Sequence, residues 1–133
     1  MPFQAANSIS LNCDAGQDLP QRRFCSYSAT GLVLGPDQGA GVLGVSLEGY
    51  DDSEFALDNS SNVIPVAVLD GAVLEVEASA EAITVGAAIT ADAAGQAKLA
   101  NLTGDVIVGY ALSATAAAGE ILTFASVQSG GVV

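Results

Sequence analysis

The hydrophobic positions beyond about residue 28 fall into short runs of Val, Leu and Ile that are separated by Gly, Asp and Asn. Short apolar runs bounded by turn-forming residues are typical of β-strands joined by turns. Eight such strands at close spacing favour an all-β fold, either a compact β-barrel or a β-sandwich. The predicted strands lie near residues 30–35, 41–48, 63–69, 72–78, 86–91, 96–100, 105–113 and 120–127.

Local patterns refine these strands. Over Val73–Glu77 the residues alternate, so we expect the valines to face one side while the two glutamates share the solvent side. Asp70–Gly71 between two strand-like runs is a strong β-hairpin signal, and a further turn is predicted at Asp92–Gly95. Pro65 lies inside a run, which predicts an edge strand or a bulge, because proline has no amide proton for a central ladder.

The chain also contains a faint internal repeat. Val42–Leu47 and Ile107–Leu112 share the same pattern of apolar residues around a glycine. A glycine inside a strand indicates a bulge or a tight bend, so the repeat predicts the same backbone feature twice. The alternative is chance similarity between two apolar strands.

Residues 1–28 differ from the rest of the chain. This segment is polar and irregular, and it holds both arginines and both cysteines. We expect an extended N-terminal arm at 1–28 and a β-rich domain at 29–133. Eleven residues separate Cys13 from Cys25, which fits neither a zinc knuckle nor a redox pair. Two interpretations stay open, small apolar side chains in or near the core or a disulfide.

Charge limits the partners. The net charge is −12, and eleven carboxylates but no basic residue lie between Arg23 and Lys98. Nucleic acids and anionic membrane surfaces are excluded as partners, because both are bound through Lys and Arg. The N-terminus lacks a basic start and an apolar core, and no apolar run approaches the ~20 residues of a membrane span. We therefore expect synthesis in the cytoplasm of the cell that makes the protein.

The same composition argues against catalysis. The chain has no histidine, two arginines and one lysine, so a proton shuttle, an activated nucleophile and an anion clamp all lack their usual residues. No cofactor is implied. The sequence predicts a protein that packs and binds, not an enzyme.

Two clusters are candidate interaction residues. Arg22, Arg23 and Phe24 combine the residue types enriched at interface cores, and within a homo-oligomer they could reach the acidic body of a neighbour. The alternative is that both arginines are solvated. An acidic loop forms the second cluster, in which apolar side chains could anchor a partner. Its candidate residues are Asp51, Asp52, Phe55 and Leu57.

The acidic loop is also the one candidate metal site in the sequence. Together with Glu54 and Asp58 it could offer oxygen ligands to Ca²⁺, which needs 6–8 of them. The loop lacks the spacing and the glycine of an EF-hand. A solvated loop without metal is therefore favoured.

The segment from about Gly31 to Val127 resembles the small capsid cement, or head decoration, proteins of tailed bacteriophages. The resemblance rests on the order of short motifs, namely GVLGVSLEGY, VAVLDGAVLEVEA, VGAAITADAAGQA and GDVIVGYALSATAAAGEIL. It implies a β-rich homotrimer on the outer surface of an icosahedral head, where it stabilises contacts between major capsid subunits. Its partners would be the major capsid protein and other copies of itself. The alternative function is a glycan- or receptor-binding β-module of a phage or bacterial surface appendage.

Overall fold

The computed structural model describes residues 7–14, 17–51, 62–128 and 131–133 of the chain. These residues contain ten β-strands, one short 3₁₀ turn at Asp37–Gly39 and no α-helix. The strands are β1 (Ser8–Asn12), β2 (Phe24–Ser28), β3 (Gly31–Leu34), β4 (Gly44–Ser46), β5 (Val63–Val68), β6 (Val73–Glu77), β7 (Ala88–Ala91), β8 (Ala97–Leu99), β9 (Gly109–Ala111) and β10 (Ile121–Ser126).

The strands form two antiparallel sheets. Sheet 1 has the order β1-β5-β4-β2-β3, and sheet 2 has the order β6-β10-β9-β7-β8. The all-β class and the sandwich interpretation are therefore confirmed, with ten strands in place of about eight. Neither sheet closes into a barrel. All eight predicted strands are present, and the two additional ones are β1 and β2.

The expectation of a separate N-terminal arm is wrong for the described part of that segment. β1 pairs with β5, and β2 lies between β4 and β3, so both strands are integral to sheet 1. β2 and β3 pair across the expected boundary at residue 28. The physical reason is burial, because Phe24 and Cys25 on β2 are fully enclosed.

The hairpin predicted at Asp70–Gly71 is also wrong. Gly71 has a positive φ of 98°, as a turn requires, but the strands on its two sides belong to different sheets. The turn therefore carries the chain from sheet 1 to sheet 2. The turn at Asp92–Gly95 does join paired strands, β7 and β8, and Gly95 has a φ of 79°.

Pro65 lies in a central strand, contrary to the predicted edge position. β5 pairs with β1 on one side and β4 on the other. The amide of Leu47 donates to the carbonyl of Pro65 at 3.0 Å, but Pro65 has no amide to return this bond. The side chain of Gln21 donates to the Leu47 carbonyl at 3.0 Å instead. A side chain thus replaces the missing ladder bond, and the proline is tolerated.

Alternation along β6 holds, but the prediction that both valines face inward is wrong. Leu74 and Val76 are buried, whereas Val73 is exposed on the same side as Glu75 and Glu77. Residues two apart on a strand share a face, so Val73 must follow the glutamates.

The core has two parts. One cluster surrounds Phe24 and Phe124, whose rings meet edge to face with centroids 5.4 Å apart, and it joins sheet 1 to sheet 2. The other cluster lies on the opposite side of sheet 1, around Leu32 and Val66, and Leu19 and Tyr50 belong to it. Sheet 1 therefore has buried residues on both of its faces.

The internal repeat extends well beyond the two matching segments. The strand orders of the two sheets become identical when five is added to each strand number of sheet 1. β1 and β6 start 65 positions apart, as do β4 and β9. The connections 35–43 and 100–108 each contain nine residues. The repeated segments thus lie on equivalent strands, β4 and β9, which confirms the repeat.

Isolated bridges repeat as well. In sheet 1, Cys13 forms an isolated β-bridge with Leu32. The residue that follows β1 thus pairs with β3, the strand at the opposite edge of the sheet. In sheet 2, Ala78 bridges Ala97 in the same parallel sense. Each strand of sheet 1 therefore has a counterpart in sheet 2. The residue pairs between neighbouring strands show which positions of the two sheets are equivalent.

Candidate functional site

The predicted basic pair contacts the chain's own second sheet. Nε of Arg23 lies 2.7 Å from Oε2 of Glu77, and Nε of Arg22 lies 3.6 Å from Oε1 of Glu75. The carbonyl of Arg22 also accepts a hydrogen bond from the amide of Glu77 at 2.8 Å. Both arginines therefore join sheet 1 to β6 within one molecule. The alternative of two solvated arginines does not describe Arg23, whose side chain is mostly buried.

Phe24 is a core residue. Its side chain is fully buried and packs on Phe124, so it is not available to a partner in the way the sequence predicted. Alternation explains the difference, because Phe24 takes the side of β2 that faces sheet 2. Its neighbour Cys25 takes the other side and joins the second core cluster.

Only Asp51 of the predicted acidic cluster lies among the described residues, where it is exposed. It follows Tyr50, whose backbone exchanges two hydrogen bonds with Leu19, at 2.8 and 2.9 Å. Asp52, Phe55 and Leu57 lie outside the described residues, as do Glu54 and Asp58 of the candidate metal site. In the described part of the chain, no group of three or more acidic or cysteine side chains is placed to hold a metal ion.

Lys98 makes a third ion pair that the sequence did not indicate. Its Nζ donates to Oδ1 of Asp37 at 2.8 Å, which raises the pKa of Lys98 and lowers the pKa of Asp37. Asp37 belongs to sheet 1's β3–β4 connection, and Lys98 lies on β8 of sheet 2. All three basic side chains of the protein are thus used between the two sheets. The remaining carboxylates leave the surface acidic.

We predict that the two arginine pairs differ in their contribution to stability. Arg23→Met should lower the free energy of unfolding by about 1–3 kcal/mol, because it leaves the largely buried carboxylate of Glu77 without its charged donor. Arg22→Met should cost less than about 1 kcal/mol, since that pair is longer and its side chains are 41% and 56% exposed. Urea unfolding of both variants at one protein concentration tests this, and equal losses would contradict it.

The cysteines behave as core residues. Both are free and buried, in agreement with the apolar interpretation. Burial raises the pKa of Cys13 to about 11 and that of Cys25 to about 12. The thiols therefore stay protonated near neutral pH and are poor nucleophiles.

A groove of about 410 Å³ runs along the junction of the sheets. Leu47 and Val73 line it together with the Arg22–Glu75 ion pair. The Ser46 hydroxyl in its wall donates to the carbonyl of Pro20 at 2.7 Å. The one carboxylate among the lining residues, that of Glu75, is paired with Arg22.

Exposed apolar side chains mark two further surfaces. On sheet 2, Tyr110 of β9 is 43% exposed, and Leu102 of the preceding connection is 59% exposed. On sheet 1, Ile9 of β1 and Tyr27 of β2 are 43% and 50% exposed. None of these four residues was predicted as a contact residue. For Ile9 and Tyr110 the signal in the sequence is the absence of a charged residue within four positions, in a chain that is otherwise strongly acidic.

The described residues contain no helix that is long and apolar enough to span a membrane.

No protein-family model matches this chain, and no curated protein matches it significantly. Among solved structures, the chain is similar to the head fiber gp8.5 N base of bacteriophage phi29, with a TM-score of 0.67 and 17% sequence identity. The match covers 94% of this chain and 98% of that chain. Because the match spans both proteins almost completely, the chain has the fold of a protein from a phage head.

Proposed function

We propose that this protein is a phage virion structural protein that binds the outer surface of an icosahedral head as a cement or decoration protein. It would stabilise contacts between major capsid subunits, and we propose a homotrimer as its assembly. The observation that carries the proposal is the near-complete structural match to the base of a phage head fiber. The motif resemblance to cement proteins supports the same function.

The surface chemistry fits a passive structural role. Every basic side chain is paired with a carboxylate between the sheets, so the unpaired charges of the protein are carboxylates. Such a surface is attracted to basic regions of a partner, and we propose that the capsid contact has that character. No catalytic step is proposed, and the Glu75 carboxylate in the groove at the sheet junction is paired with Arg22.

The alternative of a glycan-binding module finds less support. A sugar site uses aromatic side chains as a platform, and the exposed aromatic residues of the described chain are Tyr27 and Tyr110. These lie on different sheets, one on β2 and one on β9. No shared platform is formed by these two rings.

The proposal is tested by adding the purified protein to heads that lack their decoration. We expect saturable binding in co-sedimentation and DNA release at a higher temperature than from undecorated heads. Binding should weaken as salt concentration rises, because acidic and basic surfaces are screened. Absence of both binding and thermal protection would contradict the proposal. Glycan-array binding without head binding would favour the alternative.

A further inference from the structure

Strand β6 lies at one edge of sheet 2, and its only strand partner is β10. The carbonyl of Ala72, just before β6, accepts a hydrogen bond from the amide of Ser126 at 3.0 Å. The amide of Ala78, just after β6, donates to the carbonyl of Glu120 at 2.8 Å. Hydrogen bonds of an antiparallel pair involve every second residue, so β6 bonds to β10 through its even-numbered residues. Its odd-numbered residues direct their amides and carbonyls toward the open edge.

Two of these odd-numbered residues leave their backbone groups free. The amide of Glu77 donates to the carbonyl of Arg22 at 2.8 Å, so this position already has a partner. Within the part of the chain that the structure describes, no hydrogen bond engages the amide or the carbonyl of Val73 or Glu75. These two residues therefore offer amides and carbonyls to which another strand can pair.

The gap beside this edge is one strand wide at the position of Arg22. The Arg22 amide donates to the carbonyl of Ser46 on β4 at 2.8 Å, while the Arg22 carbonyl accepts from Glu77 on β6. The backbone at Arg22 thus lies between β4 and β6 and bonds to both, as the backbone of an inserted strand would. The groove of about 410 Å³ at the sheet junction is lined by Arg22, Val73 and Glu75, so it extends this gap along the free edge.

The side chains of the groove indicate what kind of segment would fit. Leu47 and Val73 are 40% and 56% exposed, so an apolar side chain between them would be removed from water together with them. The Glu75 side chain is 56% exposed and lies 3.6 Å from Arg22, which leaves its carboxylate open to a second cation. Residues two apart on a strand share a face. A basic residue and an apolar residue two positions apart would therefore lie beside Glu75 and Val73.

We propose that this groove binds an extended segment of a major capsid subunit, which adds to the edge of β6 as a further strand. A lysine or arginine of that segment lies beside Glu75, and an apolar side chain two positions away lies beside Val73. The identity of the partner rests on the proposed function. The chemistry of the segment rests on the free backbone groups, the width of the gap and the charge of Glu75.

The charge of β6 favours such a segment over a second copy of the same edge. If two β6 edges paired with each other, glutamates of both strands would lie on one face, and like charges on neighbouring strands are destabilising. Charged residues on edge strands commonly prevent such pairing between copies. A basic segment is instead attracted by the net charge of −12.

Proline at the edge tests the backbone part of the proposal. Glu75→Pro removes an amide that sheet 2 does not use, so the fold should tolerate it, but an added strand loses a hydrogen bond and meets the proline ring. Binding to undecorated heads should weaken by roughly tenfold or more. Circular dichroism confirms that the variant is folded. If it binds heads as the unmodified protein does, the inference is overturned.

The matched control is Ser10→Pro on the edge strand of the other sheet. Ser10 lies on β1 at the position equivalent to Glu75, and it is exposed and outside the groove. The bonds of Asn7 and Cys13 show that β1 bonds to β5 through odd-numbered residues, so the Ser10 amide is not used in sheet 1 either. This variant should bind heads normally. An equal loss of binding in both proline variants would overturn the inference.

Charge reversal tests the side-chain part without altering the backbone. Glu75→Lys should weaken head binding by roughly tenfold, because it places a cation where the basic residue of the segment would lie. Glu48→Lys is the control, since Glu48 is exposed, lies outside the groove and changes the net charge by the same amount. It should bind nearly as the unmodified protein does. Equal weakening by both variants would indicate general charge attraction and overturn the inference.

Hydrogen exchange of the head-bound protein measures the added strand directly. The amides of Val73 and Glu75 should exchange roughly tenfold more slowly or less on heads than in the free protein, as measured by mass spectrometry of peptides that contain β6. Normal head binding without this protection would overturn the inference and leave the proposed function intact. Failure of the unmodified protein to bind heads at all would overturn both.

Discussion

Replacing Phe124 with alanine is expected to lower the free energy of unfolding by about 3–5 kcal/mol. Phe124 is fully buried on β10 and meets Phe24 edge to face at 5.4 Å between ring centroids. The substitution removes a large side chain where sheet 1 packs on sheet 2, and the neighbouring strands can close the cavity only in part. Urea unfolding at one protein concentration measures the loss.

A conservative variant separates lost volume from lost ring contact. Phe124→Leu keeps most of the side-chain volume but loses the edge-to-face contact with Phe24. The change of shape should lower the free energy of unfolding by less than about 1.5 kcal/mol, and the lost ring contact adds an edge-to-face term to that loss. That term is obtained from the double variant with Phe24→Leu, and about 0.5–1.5 kcal/mol of coupling is expected. A loss below 1 kcal/mol for Phe124→Ala would show that the sheets do not pack as described.

Local pattern predicted most strands because they are short apolar runs between turns. β1 and β2 escaped because each is short, holds only two or three apolar residues and lies in a segment that is otherwise polar and irregular. Ile9 and Leu11 do alternate with polar residues, and this weak signal could have identified β1. At Asp70–Gly71 the sequence specifies a chain reversal, but the partner of each flanking strand is decided by contacts distant in sequence.

The candidate residues show the same division between local and distant information. The sequence predicted that Arg22 and Arg23 reach the acidic body of a neighbouring copy, whereas in the structure both pair with carboxylates of their own chain. Whether those carboxylates belong to the same molecule depends on how sheet 1 packs against β6. The internal repeat is the one sequence feature that indicates pairing within the same molecule. Two equivalent sheets in one chain are first expected to pack on each other.

Gly44→Ala is expected to destabilise the protein by about 3 kcal/mol. A Cβ at Gly44 would lie 2.8 Å from the carbonyl carbon of Ala67 and closer still to its oxygen. Ala67 lies on the central strand β5, whose backbone is held by β1 and β4 and cannot move away cheaply. The glycine of the repeat is thus required by the close approach of a neighbouring strand, and not by a positive φ.

The equivalent glycine gives an internal check. A Cβ at Gly109 would lie 2.6 Å from the carbonyl oxygen of Ala125 on β10, so Gly109→Ala should be destabilising in the same way. Gly49→Ala is the control, since its nearest contact would be an ordinary 3.5 Å and it lacks a positive φ. It should change stability by no more than about 1 kcal/mol, in the stabilising direction. If all three variants unfold at the same urea concentration, the close approach of strands at the repeated glycines is not what restricts these positions.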